Sequence, residues 1–106
     1  MSTFKNTVNA GVGTTPVSVY TASGNAVIIG LDLANTNSVG SSITVNVTIT
    51  KGATTIYYVK NAPLPPGSTL QVIAGQKIIL TNGDILKISA SVDTSVDVLV
   101  SILEGV

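Results

Sequence analysis

The side chains able to do chemistry in this 106-residue chain are few. They are five carboxylates (Asp32, Asp84, Asp93, Asp97 and Glu104), five lysines (Lys5, Lys51, Lys60, Lys77 and Lys87), three tyrosines and many serine and threonine hydroxyls. Histidine, cysteine and arginine are absent. A hydroxyl nucleophile needs an adjacent base, so Ser–His and Cys–His arrangements fail for want of the base. The same absences remove the usual zinc, haem and iron–sulfur ligand sets. The hydroxyls fall at alternating positions of strand-like runs and in turns, where they face water. The expectation is a protein that is not an enzyme and needs no cofactor.

Asp93-Thr94-Ser95-Val96-Asp97 is an oxygen-rich turn of a kind that sometimes holds calcium. It does not match the EF-hand loop, and a turn acid bonding backbone is the commoner use. Asp32 lies in an otherwise apolar run, where an unpaired buried carboxylate is costly. It either points outward, meets a lysine, or makes a salt bridge to a partner. Gly11-Val12-Gly13-Thr14-Thr15 lacks the Lys-Ser/Thr and the helix of a phosphate loop. Asn46-Val47-Thr48 matches the glycosylation acceptor pattern but sits inside a strand. Tyr57 and Tyr58, being adjacent, point to opposite faces of one strand, so only one can be core and the other is exposed or at an interface. With one phenylalanine, three tyrosines and no tryptophan, a sugar-binding platform is thin, and an interface is the favoured use.

Composition points the same way. Charged residues make up 9% of the chain, against about a quarter in an ordinary domain. Lysines and acids balance to zero net charge, while 44% of residues are hydrophobic. Such a surface has few charges to hold molecules apart, which favours association. No apolar stretch approaches the ~20 residues of a spanning helix, and the first residues lack the apolar core of a signal peptide. Neutrality without arginine argues against nucleic acid as a partner.

The elements that must position these groups are strands. Ile43, Val45, Val47 and Ile49 alternate with Thr44, Asn46, Thr48 and Thr50, and two later runs behave alike. Strands are predicted near Phe4–Val8, Val17–Thr21, Ala26–Ala34, Ile43–Thr50, Thr54–Lys60, Thr69–Ile73, Lys77–Thr81, Ile85–Val92 and Ser95–Leu103. Between them lie turn residues, among them Asn35 through Ser42, Lys51-Gly52, Ala74-Gly75 and Asn82-Gly83. The fold class expected is all-β: a single antiparallel β-sandwich, Ig-like or jelly-roll-like, of eight or nine short strands. Asn82-Gly83 predicts a tight hairpin, and Lys51-Gly52 a second tight turn. Pro63 through Gly67 predicts a connection passing between sheets, closed by a Pro66-Gly67 turn. Residues 1–15 are expected as a flexible N-terminal arm and 16–106 as the β-sandwich domain. Two strands are apolar on both faces: Ile28 falls opposite Val27, Ile29, Leu31 and Leu33, while Leu99 and Leu103 fall opposite Val98, Val100 and Ile102. Such a strand is either covered twice or carries a subunit contact. The expected interface residues are Ile28, Asp32, Tyr57, Tyr58, Leu99 and Leu103.

Four segments together resemble a known group. Pro63 to Val72, Gln76 to Leu80, Asn82 to Ser91 and Ser95 to Glu104 are similar to small β-sandwich virion structural proteins of tailed bacteriophages. The likeness covers the C-terminal half well and the N-terminal half in style. It implies a cofactor-free subunit present in many copies in the virion and assembled in the bacterial host cytoplasm. Its partners would be the major capsid protein or other virion subunits, and copies of itself in a homo-oligomer. No nucleic acid, membrane or small-molecule substrate is implied. Within that group a capsid decoration, or cement, protein is the first expectation. A neck, collar or tail-associated subunit is the alternative, and a carbohydrate-binding module on a fibre is the alternative of another class.

Overall fold

The computed structural model describes residues 2–37, 40–73 and 77–106. Among the described residues nine strands run in order: β1 (Thr3–Val12), β2 (Val17–Thr21), β3 (Ala26–Asn35), β4 (Ile43–Lys51), β5 (Thr54–Leu64), β6 (Thr69–Ile73), β7 (Ile78–Leu80), β8 (Ile85–Ala90) and β9 (Val96–Glu104). Alternation of apolar and hydroxyl residues produces them, because period two puts one set on each side of a pleated ribbon. β4 shows it cleanly: Ile43, Val45, Val47 and Ile49 are buried and the threonines between them are half-buried.

The strands form two antiparallel sheets packed as a sandwich. Sheet A has the order β1-β9-β3-β6, with β7 also paired to β3, and sheet B has the order β2-β8-β4-β5. β6 and β7 meet successive stretches of β3, at Leu31–Ala34 and Ala26–Ile28, and share one place beside it in the sheet. Counted so, the chain crosses between sheets at every connection except the β4–β5 hairpin. That is the two-Greek-key path of a jelly roll. Fully buried Leu31, Leu33, Val45, Leu86, Ile88 and Ile102 meet between the sheets.

Several expectations change in the folded chain. Ile28 is not on an outer face; it is fully buried. A bulge between Ile28 and Gly30 leaves Ile29 as an extra residue against β9. The extra residue reverses the parity, so Ile28 and Leu31 both point inward. Residues 3–12, expected within a flexible arm, form β1 and pair with β9 from Thr3↔Glu104 to Val12↔Val96. β1 is nonetheless a thinly covered edge, with Phe4 and Val8 exposed. Asn82-Gly83 does not close a hairpin, because β7 lies in sheet A and β8 in sheet B. Only Gly83 has positive φ there, and Asp84 N–H bonds the Thr81 carbonyl at 3.0 Å. This is a type II turn, which turns a corner without the twist that a hairpin needs.

Other turns behave as read. Gly52 (φ 60°) occupies the first central position of the two-residue β4–β5 loop, a type II′ turn. Pro66-Gly67 closes the crossing to β6, with Ser68 N–H on the Pro65 carbonyl at 3.3 Å. Pro63 belongs to β5, paired opposite Thr44, and is tolerated because β5 is an edge strand. The expected break at Ala74-Gly75, and Ser38 and Val39 of the Asn35–Ser42 loop, lie outside the described residues, as does Met1.

Candidate assembly interface

The two outer faces of the sandwich differ in chemistry. On sheet B the outward row through β8, β4 and β5 is Lys87, Thr48 and Tyr57, and the next is Ser89 and Asn46. These are hydroxyls, amides and lysines. On sheet A the outward row Phe4, Leu103, Val27 and Ile79 runs across β1, β9, β3 and β7. Beyond an intervening row of Asn6 and Ser101, a parallel row carries Val8, Leu99, Asp32 and Gln71. Phe4 is 76% exposed, Val8 71%, Ile79 66% and Leu99 40%. Monomeric proteins rarely leave two such rows of apolar side chains on one face in water.

A shallow groove of about 340 Å³ opens on this face, lined by Val8, Asp32, Ala34, Thr69, Asp97 and Leu99. Asp97 Oδ1 accepts the Gly11 N–H at 3.0 Å. Among the described residues no lysine lies within ion-pair range of Asp32 or Asp97. Asp32 is half-buried and points outward, so of the readings weighed from sequence the lysine partner within the chain is not realised. A second cleft, about 260 Å³ and almost wholly apolar, lies at the open edge between the sheets, where Ile56 and Tyr58 face Ile78 and Ile79.

The structure therefore gathers Asp32, Leu99 and Leu103 on the outer face of sheet A. It sends Tyr57 to the outer face of sheet B and Tyr58 to the edge cleft. A bulge on β5 makes Tyr58 the extra residue between Tyr57 and Val59, and neither tyrosine enters the core. Tyr57 is 55% exposed, with Lys60 Nζ 5.0 Å from its ring centre. Sequence reasoning missed Phe4, Val8, Val27 and Ile79. The alternation Phe4-Asn6-Val8 was the available signal, but its polar partners Lys5 and Thr7 gave no core-facing contrast.

Around this face the ionisable groups serve the fold. Lys51 Nζ is bonded to Asp84, which also accepts the Thr81 N–H at 2.8 Å. The lysine bond first, then the Thr81 N–H, hold Asp84 below the usual carboxylate range against the opposing effect of burial. Asp93 Oδ1 accepts the Thr14 N–H at 2.9 Å and its hydroxyl at 2.8 Å, which lower its pKa likewise. Tyr20 Oη donates to Glu104 at 2.6 Å, with Lys5 Nζ 3.7 Å from the same oxygen. Burial and then that carboxylate push Tyr20 up to about 12. The oxygen-rich turn at Asp93 thus clasps the β1–β2 connection. Among the described residues no three metal-ligating side chains cluster. No helix among them is long and apolar enough to cross a membrane.

No protein-family model matches the chain, and no curated protein sequence matches it. Solved structures share its fold. A chain of the acid-stable capsid of Helicobacter pylori bacteriophage KHP30 superimposes with TM-score 0.58 at 10% identity, covering 96% of this chain and 85% of that one. A chain of the disulfide-linked pili of Bacillus endospore appendages gives 0.53 at 14% identity, covering 96% and 86%. A chain of infectious bursal disease virus, Gx strain, gives 0.51 at 13%, covering 95% of this chain and 33% of that one. At these identities the likeness is one of fold, the jelly-roll sandwich. The disulfide linkage named for the pili has no counterpart here, where cysteine is absent.

Proposed function

We propose that this chain is a non-enzymatic virion structural protein, and specifically a decoration protein that stabilises a bacteriophage head by binding its major capsid subunits. One observation carries the reading: a sandwich with a hydroxyl-rich face on one side and an aliphatic face on the other, in a chain of 9% charged residues. The aliphatic face is the one to be covered. Burying it adds an interface that exists only in the assembled state, so it stabilises that state by mass action. The sandwich measures 44 × 27 × 20 Å, and its broad side is ample for the ~800 Å² per partner of an ordinary stable interface. The fold shared with chains of the KHP30 phage capsid and of infectious bursal disease virus supports a virion role.

The test is quantitative mass spectrometry and electron cryomicroscopy of density-purified particles from a producing lysate. Many copies per particle on the outer shell are expected. A single ring at the neck or tail would move the protein to the alternative position, and absence from particles would defeat the reading.

A further inference from the structure

The net charge of zero conceals a separation of charge between the two faces. Among the described residues the strands of sheet A carry Asp32 and Asp97 outward, and Lys5, the one lysine on those strands, lies 3.7 Å from Glu104; exposed Lys77 stands just before β7. Sheet B has no carboxylate on any of its strands, and its outward side bears Lys87 and the Tyr57–Lys60 pair. Tyr57 and the Asp32 groove lie on opposite sides of one sandwich, so they cannot meet within a single copy.

From this we infer that copies of the chain associate head to tail, the Tyr57–Lys60 pair of one copy seating in the Asp32–Leu99 groove of the next. The groove is lined by Val8, Ala34 and Leu99 with Asp32 and Asp97 at its sides, which suits an aromatic ring carrying an ammonium beside it. It holds about 340 Å³, room for a tyrosine side chain. Asp32, half-buried without a cation of its own, obtains one from the neighbour's Lys60. The partner is a second copy rather than an unrelated protein because this chain itself displays the missing cation on an apolar ring. A contact between opposite faces is heterologous, so it propagates into rings or rows instead of closing at a dimer. It uses one end of the sheet A face and leaves the Phe4–Leu103–Val27–Ile79 row for another virion subunit. The inference rests on the reading of that face as the assembling surface.

Sedimentation velocity of the full chain over a concentration series tests it. The wild type is expected to grow beyond dimers as concentration rises. Asp32→Lys alone and Lys60→Glu alone should each weaken association tenfold or more. Mixing these two variants, or combining both changes in one chain, should restore it, and recovery also shows that both substituted chains fold. Three results overturn the contact: a wild type that stays monomeric, association that ends at a dimer, or charge reversals that are not rescued. Should the wild type stay monomeric yet occur on purified particles, the head-to-tail contact falls while the virion role stands.

Discussion

Alanine at Ile28 and alanine at Ile29 differ by one position in the chain and by opposite sides of sheet A. Ile28 is completely buried, and truncation removes three carbon atoms from the core. At ~0.8 kcal/mol per buried carbon the transfer loss alone is about 2.4 kcal/mol. A cavity that collapses only in part brings the cost to about 3–4 kcal/mol, within the range for such truncations. For a domain of this size that lowers Tm by roughly 12–25 °C. Ile29, the extra residue of the bulge, sits half-exposed on the outer side, and its truncation should cost under ~1 kcal/mol. Urea and thermal unfolding at low protein concentration, where self-association does not contribute, compare the two directly. Equal losses at the two sites, or a larger loss at Ile29, would refute the parity reversal and with it the assignment of faces on β3.

Gly13→Ala should destabilise the fold by ~1–3 kcal/mol, read from the thermal midpoint, because an added Cβ would lie 2.6 Å from Asp93 Oδ1 and 2.8 Å from its Cα. The lowered pKa values of Asp84 and Asp93 mean that their stabilising contribution is present above about pH 4, the unfolded carboxylate value. It is lost as pH falls through their folded values; Tm measured from pH 7 to pH 2 should show the decline, and Asp84→Asn should flatten it. At the alkaline end Tyr20, raised to about 12, stabilises the fold below pH 10 relative to higher pH, so stability should fall between about pH 10 and 12. Tyr20→Phe should remove that decline in the same titration. Leu99→Ser should leave the unfolding free energy within about 0.5 kcal/mol of wild type, since the side chain is 40% exposed, yet weaken self-association in sedimentation.

The strand period, the turns at Gly52 and Pro66-Gly67, the sandwich class and the absence of histidine and cysteine were legible in residue order alone. These are local matters: alternation, φ preferences and residue inventory act over a few neighbours. The rest follows from pairings between distant strands. Whether Ile28 faces the core depends on a bulge opposite β9, more than seventy residues away. Whether residues 3–12 form an arm or a strand depends on the free edge of that same β9. Asn82-Gly83 turns a corner between sheets because β7 pairs with β3 and β8 with β4, choices the turn residues do not encode. The contrast between the faces, and the separation of Asp32 from Lys60, arise only when distant strands are laid side by side, since register is a property of pairs and not of either strand alone.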